Sequence, residues 1–372
     1  MSSSPVRILF TGYAPVHFLC FQPIYEQIKD YPGIEVKLSG GLRTKTPVGV
    51  RYNEFGLYGP FGVDRGRILT VEEIQQMDFD LLFVANTKPI EPRSVKERIQ
   101  LFHGISFRNK AVRKAATPPD HFFMVGPYML RAFRFRKLVQ SGDSRVAKIG
   151  FPKTDPLVDG SLDRNEVLNR FGFSGYRPVV TYAPTGADHN SMATMGEELI
   201  QRLRESGKYD LIIKPHDHSH DGVDWPSRLA RYEDEHTRLA RADADVIPSL
   251  FVADLLITDA SSVSNEFSLL DRPMVFLDTP ELLLNEVENP KGLLDLGTWG
   301  RKGGLVARDP NEALDAVSES LAEPSRKASV RKKMARDLFY NPGQATQAAV
   351  NWLTEHIGLD REGVELATVA QR

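Results

Sequence analysis

Short apolar runs alternate with stretches of helical periodicity along most of the chain. The runs predict strands at 6–11, 34–38, 80–86, 98–103, 121–125 and 147–149, and again at 179–183, 209–214, 243–247, 255–258, 274–277 and 304–307. Between them, spaced apolar residues such as Phe18, Phe21, Ile24, Tyr25 and Ile28 predict a helix on one buried face. Further helices are expected at 71–77, 128–138, 195–206, 311–321, 327–338 and 344–356, the last after the break Asn341-Pro342-Gly343. Residues 40–66, rich in glycine and proline, predict a long irregular segment, and the tail beyond Gly358 a loosely ordered one. Strands alternating with helices in both halves indicate an α/β protein of two doubly wound, Rossmann-like domains. The expected division is 1–158, 159–343, a C-terminal helix at 344–358 and a tail at 359–372, with the strand-end loops of the two domains facing across a cleft.

The stretch 255–273 organises the second half. A run Leu255-Leu256-Ile257-Thr258 leads into Asp259-Ala260-Ser261-Ser262, an amphipathic stretch follows, and Pro273 ends it before the next run. That order predicts strand, loop, helix, strand. Ser261 and Ser262 fall at the first turn of the helix, where free backbone N–H groups and hydroxyls suit a phosphate. An ordinary capped helix accounts for the same residues. Glu266, one turn deeper, is a candidate for a ribose diol.

Composition narrows the classes. The chain has 372 residues with 47 basic and 49 acidic side chains, so no global charge draws it to nucleic acid, and an anion site must be local. Its single cysteine, Cys20, excludes an intramolecular disulfide and a cysteine-based zinc cluster. No signal-peptide pattern opens the chain, and nowhere do eighteen apolar residues run together, so a cytoplasmic location, at the inner face of the cell membrane, is expected. The Gly-x-x-x-x-Gly-Lys-Ser, Gly-x-Ser-x-Gly and His-Glu-x-x-His motifs are absent, and Gly12 is a lone glycine without a dinucleotide fingerprint.

Two histidines carry the candidate chemistry. His103 leaves a predicted strand, followed by Gly104, which allows close backbone approach, and by a basic turn with Arg108 and Lys110; this suits a general base beside a phosphate. His216 follows Lys214 at another strand end, with His218 and His220 alternating after it and Asp217 expected on the opposite side. Three alternating ligands on one short strand cannot easily surround an ion, so no metal is expected there and His216 is assigned to an anion. The helix at 128–138 carries Arg131, Arg134, Arg136 and Lys137, a surface for an acidic acceptor or an anionic membrane, or a plain solvated face.

The residues His103-Gly104 with a basic turn, Gly150-Phe151-Pro152-Lys153-Thr154-Asp155, Tyr182-Ala183-Pro184-Thr185, Lys214-Pro215-His216, and Thr258-Asp259-Ala260-Ser261-Ser262 with Asp271-Arg272-Pro273 occur in the order seen in one family. In this the chain resembles the CDP-glycerol glycerophosphotransferases, which build teichoic-acid-like or capsular polyol-phosphate polymers on a GT-B fold. The resemblance implies catalytic roles for His103 and His216, pyrophosphate binding by Ser261 and Ser262, and a place in the same site for Thr185. With the bottom-up reading, the substrate-binding set is Gly104, Arg108, Thr185, Lys214, Asp259, Ser261, Ser262 and Glu266. The implied partners are a CDP-activated donor and a glycan or polyol-phosphate acceptor, lipid-linked in teichoic-type systems, with no metal or other cofactor and no nucleic acid. Two departures bear on the donor: Ile105-Ser106 stands where the family usually has Thr-Pro, and Gly186-Ala187 where an aromatic and a basic residue commonly follow. The alternatives are a glycosyltransferase or 2-epimerase using a UDP-sugar, and a nucleotide-binding subunit without catalysis.

Overall fold

The computed structural model describes residues 4–47, 49–217, 222–289 and 293–359. The chain forms two compact units. Unit 1 takes the described residues up to His103, Arg113–Asp155 and those from Phe339 onward; unit 2 takes Gly104–Val112 and Pro156–Leu338. The units therefore depart from chain order twice. The turn after His103 belongs to unit 2, and the last helix, Ala345–His356, returns to unit 1.

Unit 1 is built on strands β1 (Val6–Gly12), β2 (Ile34–Gly40), β5 (Asp78–Val84), β6 (Ser94–Gln100), β7 (His121–Met124) and β8 (Val146–Lys148), with β3 (Leu42–Thr46) and β4 (Gly49–Asn53) pairing separately and antiparallel. The main sheet has the order β2-β1-β5-β6-β7-β8, every pair parallel. Alternate residues of its central strands are buried on both faces, as parallel sheets covered by helices require. Phe10, for example, stacks on Phe83 at 4.7 Å and meets Phe21 of helix Pro15–Ile28 at 4.9 Å. The segment 40–66, expected to be irregular, contains the β3/β4 pair and the short helix Glu54–Tyr58. The β3/β4 pair is mostly exposed, so its strands lack the apolar alternation that marks a core strand in sequence.

Unit 2 has β9 (Val179–Tyr182), β10 (Asp210–Ile213), β11 (Thr237–Leu239), β12 (Leu255–Thr258), β13 (Met274–Leu277) and β14 (Leu305–Ala307) in the order β11-β10-β9-β12-β13-β14, again all parallel. The period of two sorts β12 cleanly: Leu255 and Ile257 enter one core with Val180 and Tyr182, while Leu256 enters the opposite one with Phe267 and Phe276. The expected strand at 243–247 is replaced by a turn and the helix Ile247–Val252. Asp245 accepts from the Ile247 N–H and Pro248 occupies the first turn, both helix-start features. Its place in the sheet is taken by β11, whose sequence Thr237-Arg238-Leu239 has no apolar run to mark it. The order reverses between β9 and β12. In doubly wound sheets ligands bind outside the carboxyl ends of the strands at such a point.

Candidate active site

In unit 2 the loops after β9 and β12 are joined by one carboxylate. Asp259, 1% exposed, accepts from the Thr185 N–H at 2.8 Å through one oxygen, and from the Ser191 N–H and hydroxyl, both at 2.9 Å, through the other. The Thr258 hydroxyl adds a bond to Ala183 O at 2.6 Å. Asp259 thus positions the loops, its acceptors directed to protein donors. Ser261 and Ser262 follow it immediately, Ser261 buried and Ser262 half-buried at the start of the short helix Val263–Phe267. The Ser262 side chain makes no capping hydrogen bond to this helix. Glu266 lies one turn further on and is buried to 1% exposure.

The basic turn after His103 is part of the same unit. Asn265 Nδ2 donates to Ile105 O, Asn109 Nδ2 to Leu293 O, and the Asp295 N–H to Phe107 O, while Phe107 packs with Ala260 and Leu282. Gly104 lies against Ser262: a Cβ there would meet its Oγ at 3.1 Å, tight enough that the serine would have to move. The backbone of this glycine therefore approaches Ser262, in the loop after β12.

Arg108 reaches Thr185 Oγ1 at 3.2 Å and is ion-paired with Glu286 at 3.6 Å; Lys110 reaches the same Glu286 oxygen at 2.8 Å. Burial pushes the Arg108 guanidinium below its usual range, and Glu286 and Asp259 oppose that shift. Arg108 Nε and Glu286 Oε2 are both buried without a hydrogen-bond partner among the described residues. Glu286 gave no sign in sequence, because the run Leu282 to Glu288 reads as an ordinary amphipathic helix whose acids face water. Two neighbouring glutamates, Glu281 and Glu288, do so.

Lys214 follows β10 and is buried, its ammonium donating to Ala242 O at 2.8 Å and Pro215 O at 3.3 Å. His216 is exposed, with Nδ1 2.8 Å from Asp217 Oδ1. Residues 214–217 are not a strand, so Asp217 turns onto His216 instead of lying opposite it. His218 and His220 fall outside the described residues.

In unit 1, β6 ends at Gln100 and His103 stands three residues beyond it, exposed. Its Nδ1 lies 2.6 Å from Ala85 O at the end of β5. A carbonyl only accepts, so Nδ1 carries the proton and the lone pair of the neutral ring is on Nε2. His17, 3% exposed in the first turn of helix Pro15–Ile28, packs beside it with ring centroids 5.2 Å apart. The Tyr13 N–H donates to His17 Nδ1 at 3.2 Å, which fixes the opposite tautomer. Sequence reasoning passed over His17, although a histidine just after the first strand of a doubly wound unit sits where ligands gather.

A family model described as CDP-Glycerol:Poly(glycerophosphate) glycerophosphotransferase matches residues 90–354, from before His103 to the final helix. The chain belongs to this family. Among similar proteins, the teichoic acid glycerol-phosphate primase of Bacillus subtilis (strain 168) is 31% identical over 43% of this chain and 40% of its own length. The teichoic acid glycerol-phosphate primase of Bacillus spizizenii is 24% identical over 70% of this chain and 67% of its own. The chain thus spans two fifths of one relative and two thirds of the other. The solved structure of the wall teichoic acid polymerase TagF, H548A, superposes with a TM-score of 0.64 at 17% identity, covering 95% of this chain and 90% of that one, which shows a shared fold.

Proposed function

We propose that this glycerophosphotransferase-family chain moves glycerol phosphate, or a related polyol phosphate, from a CDP-activated donor to a hydroxyl of a glycan or polyol-phosphate acceptor in cell-surface polymer synthesis, releasing CMP. The observation that carries the reading is the family match, which spans the His103 turn and the Ser261-Ser262 loop in one alignment. The acceptor oxygen attacks the polyol-bearing phosphorus, a new P–O bond forms, the P–O bond to CMP breaks, and the acceptor proton passes to His103 Nε2. The tautomer set by Ala85 supports that role, since it leaves Nε2 as the basic nitrogen. Ser261, Ser262 and His216 bind and neutralise the pyrophosphate, where charge grows on the transferred and leaving groups. Asp259 and Glu286 act through others, holding the β9 loop and the Arg108 guanidinium. No metal is called on.

The test is nucleotide release from CDP-glycerol, CDP-ribitol, UDP-N-acetylglucosamine and UDP-glucose, each with and without a glycan acceptor pool. Acceptor-dependent CMP from a CDP-polyol is the expected result; UDP from a sugar donor would overturn it. The same reading places the enzyme at an anionic membrane surface. Helix Pro127–Phe135 supports this with Phe135 74% exposed beside exposed Arg131 and Arg134. Among the described residues no helix is long and apolar enough to cross a membrane. Binding to anionic vesicles at low salt, lost on changing Arg131 and Arg134 to Gln, is expected; equal binding by that variant would remove the helix from the contact.

A further inference from the structure

Glu97 of β6, His121 of β7 and His356 of the helix Ala345–His356 converge within unit 1, and none of them is given a catalytic role above. Both Nε2 atoms are directed at one carboxylate oxygen: His121 lies 2.6 Å and His356 2.8 Å from Glu97 Oε2. One ligand atom from each residue lies within 4.8 Å of the other two. The side chains are 37%, 19% and 28% exposed for Glu97, His121 and His356, so water reaches the cluster. Trp352, one turn before His356, stacks on its ring at 4.5 Å with 13° between planes and meets the His121 ring edgewise at 4.9 Å.

We infer that these three side chains bind a zinc-class divalent ion that ties the C-terminal helix to the sheet of unit 1. Two imidazole nitrogens and one carboxylate, with a fourth position open to water, are a donor set of this ion class. The ligands come from three separate elements, unlike the alternating histidines at 216–220. With metal–ligand bonds of about 2.0–2.1 Å, tetrahedral ligand atoms sit about 3.3 Å apart. The two Nε2 to Oε2 separations need to open by about 0.5–0.7 Å, and the two histidine ligand atoms, within 4.8 Å of each other, need to reach the same spacing, both side-chain adjustments. Trp352 holds the His356 ring plane, which limits the ordering that binding requires.

The experiment uses the full chain, freed of metal with a chelator, titrated with ZnCl2 against a fluorescent chelator and separately with CoCl2. Because the chain has nine histidines, the reading is a difference: one zinc site present in the wild type and weakened at least about tenfold in His356→Ala and His121→Ala. Co2+ should give tetrahedral visible absorption and quench tryptophan emission, with that quenching lost in Trp352→Phe. Should an alanine variant fail to fold by circular dichroism, Glu97→Gln takes its place, keeping shape and one acceptor while weakening the ligand. Equal zinc stoichiometry and affinity in the wild type and the folded variants would overturn the site. The readout involves no nucleotide, so failure here and failure of the transferase reading are separate results.

Discussion

At the scale of single residues, the bond from His103 Nδ1 to Ala85 O fixes the tautomer of the imidazole, with the lone pair of the neutral ring on Nε2. In the proposed mechanism Nε2 is the atom that takes the acceptor proton. His103→Ala should lower turnover by about 100- to 10,000-fold, the usual contribution of a general base. CDP-glycerol affinity, measured by calorimetry, should stay within about twofold because the side chains proposed to bind the donor lie in other elements. Normal turnover in this variant would remove His103 from the mechanism. His103 was singled out by a strand end, a following glycine and a basic turn. His17 was not, since nothing local sets it apart from a core histidine, and Glu286 was not, since only tertiary packing against Arg108 and Lys110 distinguishes it from the exposed acids beside it.

Among elements, the loops after β9 and β12 depend on Asp259, whose two oxygens take three donors. Asp259→Asn replaces one acceptor with an amide NH2 that must face N–H groups. The buried donor left unpaired should cost about 1–3 kcal/mol in urea unfolding and weaken donor binding together with it. Ser261→Ala should weaken donor binding with little change in the unfolding midpoint; a stability loss equal to that of Asp259→Asn would make Ser261 structural. All strands of the two main sheets but β11 were legible because two-sided burial leaves unbroken apolar runs such as Leu255 to Ile257. The β3/β4 pair was hidden by its exposure, and β11 by its sequence Thr237-Arg238-Leu239, which holds a single apolar residue and so leaves no apolar run. The 104–112 turn was legible as a basic segment. Its membership in unit 2 was not, because it rests on bonds to Leu293 and Asp295, nearly two hundred residues away.

For the molecule as a whole, the decisive feature is the return of the chain to unit 1 after Leu338. The segment Gly150 to Asp155 receives it. Gly150 has φ +103°, and a Cβ there would lie 2.2 Å from Tyr340 O; Asn341 Nδ2 donates to Lys148 O and Ile149 O. Asp155, buried, then takes the Ala345 and Thr346 N–H groups at 3.0 and 2.7 Å, capping the last helix from a residue 190 positions earlier. That helix buries Ala345, Ala349, Val350 and Leu353, so the docked C-terminal segment forms part of the packing of unit 1. Asp155→Ala should therefore destabilise unit 1 by about 1–2 kcal/mol, the loss of a helix cap. Gly150→Ala should cost more, because backbone and not a flexible side chain stands in the way and the conformation is left-handed. Hydrogen exchange is the measurement: both variants should speed exchange in β7, β8 and the helix Ala345–His356, while β9 to β14 and CDP-glycerol binding stay as in the wild type. Faster exchange spread equally over both sheets would mean that the two units unfold as one, and that the docking segment stabilises the whole chain.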